Sequence, residues 1–159
     1  MILKIIDDHL NKRPKDERAT RCFHPSSLHK SDEYLLKAYF EGDNVAEVSP
    51  RILRIFDNGK AMHEKLQKYL KEAGVLLQAE VPVVNSEYEI RGSADGIVEF
   101  EGVRGVLELK SINSLGFYAL FQPKSEHVLQ LNVYMYCLGI SRVFCFMSVK
   151  TTRKLKSFS

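Results

Sequence analysis

Residues 105–111, GVLELKS, have the pattern of a short buried strand but include two charged side chains, Glu108 and Lys110. Side chains two residues apart in a strand project from the same face, so Glu108 and Lys110 share one face while Leu107 and Leu109 occupy the other. A carboxylate is costly to bury alone, so a pair of this kind needs a partner or a metal ion that neutralises it. We therefore expect other parts of the chain to supply that partner.

The composition fits a single domain that spans residues 1–159. The chain has 159 residues, of which 45% are hydrophobic and 27% are charged, and this is enough for a core that folds by itself. The formal net charge of +3 permits a polyanionic partner without establishing one. The sequence contains neither a signal-peptide core nor an apolar run of about 18 residues, so we expect a soluble cytoplasmic protein with no membrane partner.

Cap residues and apolar spacing predict helices in the first half of the chain. Residues 1–48 are interpreted as a helical N-terminal part, and residues 49–158 as the core. The clearest helix starts at Ser49 and stops before Gly74. Its apolar stripe has spacings of three and four residues, and His63 occupies a place where the stripe should continue, so we expect His63 to face inward. The stripe consists of Ile52, Phe56, Leu66 and Leu70.

Three segments with strand character follow this helix, namely LLQAEVPVV, YEIRGSADGIVEF and VRGVLELK, with turn-like residues between them. A further helix opens at Pro123 and ends at Gly139. The segment RVFCFMSVK then forms another strand, and residues 151–159 remain as a basic tail. The predicted order is therefore helices, three antiparallel strands, a helix and a last strand.

Asp95 supplies a second carboxylate close to the charged strand. It lies in RGSADG, before Gly96, where the backbone can bend and a ligand can approach, although an ordinary β-turn aspartate fits this hexapeptide equally well. Read with Glu108 and Lys110, it gives two carboxylates that can hold a divalent cation and an ammonium group that can orient a water. Mg²⁺ prefers oxygen ligands and completes its shell with waters and substrate phosphates. The set therefore suits phosphodiester hydrolysis.

Asp95, twelve intervening residues, and then Glu108-Leu109-Lys110 resemble the motif of the PD-(D/E)XK nucleases. The segments GKAMHEKL and QLNVY resemble the G-x-x-x-H and Q-x-x-x-Y motifs of the RecB-like branch, in the order expected along the chain. The resemblance covers residues 24–158 and implies an α/β (α+β) fold with a restriction-endonuclease-like core. In that core a central mixed sheet of about four strands is flanked by helices, in the order α-β-β-β-α-β.

The resemblance also implies a metal centre and a catalytic set. Asp95, Glu108 and Lys110 would be the catalytic residues. The ligands of a Mg²⁺ or Mn²⁺ ion would be His63, Asp95, Glu108 and Leu109. A lone histidine on an apolar helix face is more often a packed core residue, but beside the two acids we expect His63 to be a metal ligand.

Three further positions would contact the substrate. Gln130 and Tyr134 lie four residues apart on one face of the predicted helix, within reach of the site or the scissile backbone. Lys150 resembles a lysine that follows the last core strand and touches a phosphate. Glu80 lies in a region from which some members of the family take another acid. Packing is the alternative for Gln130 and Tyr134, and solvent exposure is the alternative for Lys150 and Glu80.

The cysteines do not match the iron–sulfur members of the family. Those members need four cysteines, one near the N-terminal helix and three clustered after the core. This chain has Cys22 near the first place, whereas Cys137 and Cys145 lie in apolar runs without CxxC spacing. We therefore expect buried reduced thiols and no iron–sulfur cluster.

The function implied by the resemblance is that of a metal-dependent deoxyribonuclease, of a type that viruses and mobile elements carry. DNA is the expected partner, and exonuclease action is favoured over endonuclease action. A homo-oligomer that threads DNA is compatible with the sequence, but the sequence gives no support for it. A non-catalytic nucleic-acid-binding module of the same fold is one alternative, against which the intact Asp95, Glu108, Lys110 and His63 argue. A structural α/β domain, with Glu108 and Lys110 paired on an exposed sheet face, is another.

Overall fold

A computed structural model describes residues 1–14, 19–42, 48–112, 114–119, 121–149 and 155–158. Its helices are α1 Ile2–Asn11, α2 Asp32–Glu41, α3 Pro50–Glu72, α4 Ser114–Ala119 and α5 Ser125–Leu138, with a 3-10 turn at Pro25–Ser27 before α2. Its strands are β1 Leu76–Asn85, β2 Ile90–Phe100, β3 Val103–Ile112, β4 Val143–Val149 and β5 Leu155–Phe158.

The strands form one sheet in the order β1-β2-β3-β4-β5. β1, β2 and β3 are successive antiparallel neighbours, because short turns join them. β4 runs parallel to β3, since α5 carries the chain back along the sheet before β4 begins, and β5 pairs antiparallel with β4. The predicted α/β fold with a mixed sheet flanked by helices is therefore confirmed.

The sheet has five strands, whereas the sequence predicted about four. The additional strand, β5, lies in the segment that we interpreted as a basic tail. It has only 4 residues, and they include Lys156 and Ser157, so its alternation of apolar and polar side chains is too short to indicate a strand. Its pairing with β4, in which Lys156 lies opposite Met147, comes from tertiary structure rather than from a local signal.

Helix α3 begins and ends where its sequence signals predicted, with Pro50 in the first turn and Gly74 after the end. The predicted burial of Ile52 and Phe56 is wrong, since these residues are 42% and 60% exposed. The first turns of α3 lie beside α1, and ion pairs between charged side chains connect α3 to α1 and to the residues that follow α1. Those pairs are Arg13 with Asp57 and Arg54 with Asp7. Leu66 and Leu70 of α3 pack on a core cluster of the sheet, and Ile52 and Phe56 do not belong to that cluster, so the sheet covers the later part of the apolar stripe.

Apolar side chains fill both faces of the sheet. On one face Leu131 and Tyr134 of α5 pack with Val106 and other strand residues. On the opposite face Leu107 and Leu109 form a second cluster, against which apolar side chains of α3 pack. Because side chains alternate along a strand, Glu108 and Lys110 share the face of Val106. The predicted alternation in β3 therefore places the two charges towards α5.

Candidate active site

The candidate site lies where β2 and β3 separate. Their backbone pairing extends to Gly96, which lies opposite Leu107, and Asp95 lies just beyond the last pair. The side chain of Asp95 then contacts β3, because its Oδ2 accepts a hydrogen bond from the backbone N–H of Leu109 at 2.6 Å. The separation of the strands lets side chains from both of them face a common cleft.

Four of the residues predicted from the sequence meet at this point. The imidazole Nδ1 of His63 lies 3.2 Å from Oδ1 of Asp95. The ammonium Nζ of Lys110 lies 2.6 Å from Oε1 of Glu108. Since His63 belongs to α3, Asp95 to β2 and the other two residues to β3, the site exists only when these three elements are assembled.

Glu108 carries the most deeply buried charge of the site, with a side chain that is only 4% exposed. Burial raises the pKa of its carboxyl group to about 7, although the nearby ammonium of Lys110 opposes this shift. The negative charge of Asp95 raises this pKa further. At neutral pH both the charged and the neutral form of Glu108 are therefore present, and a bound cation would favour the charged form.

His63 is held in place by the acids that surround it. Burial lowers the pKa of its imidazole, but the hydrogen bond to Asp95 and the charges of Asp95 and Glu108 more than offset this effect. The pKa of His63 consequently lies above its ordinary value. The inward orientation that the sequence predicted is found, and the side chain faces the acids rather than an apolar core.

Gln67 is a site residue that sequence reasoning missed. Its side chain is buried, and its Nε2 donates hydrogen bonds to Oε1 of Glu80 and to the backbone carbonyl of Asp95, both at 2.8 Å. Glu80 has a positive φ of 49° within β1, a conformation that a side chain adopts at a cost. Gln67 therefore joins α3 to β1 and β2 directly behind Asp95. Its position four residues after His63, on the same helix face, was the available signal.

Gly96 has a packing role beside Asp95. A Cβ atom at this position would lie 2.7 Å from the carbonyl oxygen of Gln78 and 2.9 Å from Cδ1 of Leu76. Only glycine lets β1 approach β2 this closely. The sequence had indicated that Gly96 leaves room for a ligand, whereas the structure shows that it leaves room for β1.

A chain of hydrogen bonds supports Lys110 from α5. Lys110 Nζ donates to Oε1 of Gln130 at 3.1 Å, and Nε2 of Gln130 donates to the hydroxyl of Tyr134 at 2.8 Å. The Tyr134 hydroxyl in turn donates to the backbone carbonyl of Ser93 at 2.8 Å. Gln130 and Tyr134 are both buried, so their strongest contacts are with the protein. They hold the ammonium group in place, and their contact with a substrate stays a prediction.

The cleft formed by these residues, which we call the acid cleft, has a volume of about 300 Å³. Besides the predicted residues, its walls include Gly92 and Ser93 of β2 and residues of the 3-10 turn. The turn contributes Pro25 and Ser26, and the residue before it contributes His24; sequence reasoning did not identify them because no motif marks them. Lys150, the third predicted substrate contact, lies outside the described residues.

The donor types of the site fit a hard divalent cation. Carboxylates and an imidazole are ligands that Mg²⁺ and Mn²⁺ accept, and the backbone near Leu109 can add a carbonyl oxygen. Within the described ranges, no three His, Cys, Asp or Glu side chains converge closely enough to hold a metal as they stand. The reason is that Glu108 is directed to Lys110 while His63 and Asp95 face each other. A cation would therefore compete with Lys110 for Glu108.

The sequence predicted buried, reduced cysteines. All three cysteines are free thiols; Cys22 and Cys145 are buried and Cys137 is partly buried, in line with the prediction of reduced thiols. Burial raises the pKa of Cys145 to about 11, so this thiol is unreactive at neutral pH.

In the described part of the chain, no helix has both the length and the apolar character that crossing a membrane requires.

A five-stranded mixed sheet with helices on both faces is the architecture of a restriction-endonuclease-like fold. One similar structure is the alkaline exonuclease LHK-Exo from Laribacter hongkongensis, with a TM-score of 0.59 and 14% identity over 86% of this chain and 75% of that chain. LHK-Exo in complex with dAMP aligns with a TM-score of 0.52 and 18% identity over 86% and 76% of the two chains.

A third similar structure is that of SSO0001, with a TM-score of 0.51 and 18% identity over 99% of this chain and 73% of that chain. No protein-family model and no curated protein matches the sequence. At these levels of identity, the likeness to solved structures establishes the fold of the chain.

Proposed function

We propose that this protein is a divalent-metal-dependent deoxyribonuclease of the PD-(D/E)XK superfamily, RecB-like branch, with exonuclease action favoured. It would act in the processing of viral or mobile-element DNA. The observation that supports the proposal best is the burial of Glu108, whose carboxylate is 4% exposed, on the strand next to the one that carries Asp95. A cation bound beside Asp95 and Glu108 would compensate this buried charge.

The metal would be held by His63, Asp95, Glu108 and the backbone of Leu109. When bound, Mg²⁺ or Mn²⁺ would lower the pKa of a coordinated water and neutralise charge that develops on the phosphate. Asp95 is held for this role by the N–H of Leu109, and its backbone is fixed by Gln67.

Lys110 would act on the reacting atoms directly. An ammonium group has three N–H donors, of which one points to Glu108 and one to Gln130. The remaining donor can bind the attacking water or the scissile phosphate, where charge develops in the transition state. Because Gln130 and Tyr134 fix the ammonium group beforehand, little reorganisation would accompany the reaction.

Exonuclease action on DNA is proposed because the similar structures include a protein described as an alkaline exonuclease, one of whose structures contains dAMP. An endonuclease with the same metal site is the main alternative. A purely structural role for the Glu108 and Lys110 pair would require an exposed sheet face, and the burial of Glu108 argues against it. A non-catalytic binding module would have no need of a buried carboxylate such as Glu108, whose burial costs free energy.

Cleavage of end-labelled linear DNA and closed circular DNA tests this function. The protein is incubated with each substrate in Mg²⁺, Mn²⁺ or EDTA, beside Glu108→Gln and Asp95→Asn. We expect the wild-type protein to degrade linear DNA in either metal, with no cleavage in EDTA or by the two variants. Glu99→Gln, at a surface position of β2, is the matched control and should cleave normally.

Each departure from this result has a defined meaning. Nicking of circular DNA at the same rate would replace the exonuclease assignment with an endonuclease. Full activity of Glu108→Gln and Asp95→Asn would contradict the proposed metal site. Binding of DNA without cleavage in any metal would favour the non-catalytic module.

A further inference from the structure

A second cleft adjoins the acid cleft and shares His63 and Asp95 with it. We call it the apolar cleft. It has a volume of about 700 Å³, within the range of pockets that bind small organic groups. Its walls come from α3, from Glu80 of β1 and from Ser111 at the end of β3. Ile55, Phe56 and Ser111, which also line the cleft, have no role in the chemistry proposed for the metal and for Lys110.

An exposed aromatic ring forms part of the apolar cleft. Phe56 is 60% exposed and the neighbouring Ile55 is 37% exposed, although both line a concave surface next to charged groups. Leaving a large apolar side chain in water forgoes the free energy that its burial would provide. The open face of a phenyl ring is suited to stack on another flat ring, and every nucleobase has such a face.

The charges of the apolar cleft are unfavourable for a phosphate group. Three carboxylates line it, those of Glu64, Glu80 and Asp95, and they outnumber the single ammonium group of Lys60. His63 also lines the cleft, but its imidazole already contacts Asp95. A phosphodiester would be repelled by these carboxylates. A nucleobase carries no charge, and its amino and ring N–H groups can donate hydrogen bonds to carboxylate oxygens.

We propose that the apolar cleft is a base-binding subsite in which Phe56 stacks on a nucleobase of the DNA strand whose phosphate occupies the acid cleft. This inference rests on the proposed nuclease function and extends it to the form of the substrate. A base inside a duplex is stacked and paired, so only an unpaired nucleotide can place its base against Phe56. The subsite therefore favours single strands and frayed ends over closed duplex.

The first test compares the binding of a labelled oligothymidylate to the wild-type protein, Phe56→Ala and Phe100→Ala, in Ca²⁺ so that cleavage does not interfere. Phe100 is the matched control, because it is also exposed but lies at the end of β2, outside the apolar cleft. Loss of one stacking contact typically weakens binding about tenfold. We expect that loss for Phe56→Ala at low and at high salt, since the contact is not ionic, and no change for Phe100→Ala.

An abasic oligonucleotide of the same length identifies the base as the group that Phe56 contacts. It keeps every phosphate and lacks only the bases. The wild-type protein should bind it about tenfold more weakly than the oligothymidylate. Phe56→Ala should bind the two oligonucleotides with similar affinity, because the ring that recognises a base is already missing.

A fluorescence test uses the fact that the chain contains no tryptophan. Phe56→Trp places a single tryptophan in the apolar cleft, whose emission can be excited apart from that of the tyrosines, and keeps an aromatic ring there. Addition of the oligothymidylate should quench its emission with little loss of affinity, whereas the emission of Phe100→Trp should not change.

The outcomes separate this subsite from the nuclease function. Equal affinity of the wild-type protein and Phe56→Ala for the oligothymidylate would overturn the subsite, even when DNA is cleaved. An emission of Phe56→Trp that DNA leaves unchanged would do the same. A wild-type protein that neither binds nor cleaves DNA would overturn the proposed function, and the subsite with it.

Discussion

Among single residues, Glu108 titrates differently in the folded and unfolded chain. The ordinary pKa of its carboxyl group is 4.5, and burial in the fold raises this pKa to about 7. Between these two pH values the folded protein binds more protons than the unfolded chain does. The free energy of unfolding therefore falls as the pH rises through this window, and it is insensitive to Glu108 above it.

Glu108→Gln removes this titration and should stabilise the metal-free protein above the window by up to about 3 kcal/mol. The difference from wild type should disappear as the pH falls well below 4.5, where Glu108 is neutral in both states. Urea unfolding in EDTA at several pH values measures it, with Glu99→Gln as a surface control. A stability difference that stays the same at every pH would contradict the assignment of the raised pKa to Glu108.

Lys110 should affect the chemical step more than the binding of DNA. Its donor to the reacting atoms acts in the transition state, and loss of one such donor typically slows a reaction ~10²–10³-fold. Single-turnover cleavage by Lys110→Met should fall by this factor, while affinity for DNA in Ca²⁺ changes little. Lys68→Met, at an exposed position of α3, is the control. Normal cleavage at saturating enzyme with weakened affinity would show that Lys110 only attracts the DNA backbone.

A substitution of Gln130 tests the role of Lys110 in a second way. Gln130→Leu breaks the hydrogen-bond chain from Ser93 to the ammonium group without removing the ammonium group itself. Its effect on the rate should vanish when Lys110→Met is already present, because the two residues act as one unit. Independent, additive losses of rate would contradict this coupling.

At the level of helices and strands, two glycines should respond in opposite ways to the same added methyl group. In α3, a Cβ at Gly59 would meet, among the residues that the structure describes, only Oγ of Ser111, at 3.6 Å, so Gly59→Ala should stabilise the fold by about 1 kcal/mol through helix propensity. In β2, Gly96→Ala would force a Cβ to 2.7 Å from a backbone oxygen and should destabilise by about 1 to 3 kcal/mol. Thermal unfolding of both variants checks this. Equal shifts in the Tm of the two variants would show that β1 can move away from the added methyl group at position 96.

Elements with strong local signals were predictable, and elements fixed by tertiary pairing were not. Ser49 and Gly74 mark the ends of α3, and the alternation of Leu107 and Leu109 with charged residues gives the two faces of β3. By contrast, β5 is too short to have a recognisable pattern and is defined by its pairing with β4. The exposure of Phe56 could not be foreseen, because an apolar stripe does not show which part of a helix the sheet covers.

In the candidate site too, some residues could be predicted from the sequence and others depend on how the helices pack on the sheet. Asp95, Glu108 and Lys110 could be proposed together because they lie on successive strands joined by one short turn, and their spacing in the sequence preserves that relation. The support of Lys110 by Gln130 and of Asp95 by Gln67 depends on how α5 and α3 pack on the sheet. Sequence spacing placed those glutamines on helix faces without indicating their partners.

On the scale of the whole molecule, the predicted metal ligands belong to three different elements, since His63 lies on α3, Asp95 on β2 and Glu108 on β3. The unfolded chain does not hold these groups together. A cation that binds only the folded protein stabilises it by mass action, by about 2.7 kcal/mol at a concentration 100 times its Kd. Metal binding should therefore be visible in the stability of the protein without any measurement of cleavage.

We expect Mn²⁺ to raise the Tm of the wild-type protein by about 5 to 10 °C at such a concentration. Mg²⁺ should have a smaller effect at the same concentration, because the imidazole of His63 favours transition ions over Mg²⁺. Glu108→Gln and Asp95→Asn should lose the shift, and Glu99→Gln should keep it. His63→Ala should bring the Mn²⁺ response down to that of Mg²⁺, because only carboxylate and carbonyl oxygens then remain. An equal Mn²⁺ shift in Glu108→Gln would place the cation elsewhere in the molecule and leave the burial of Glu108 without the explanation proposed for it.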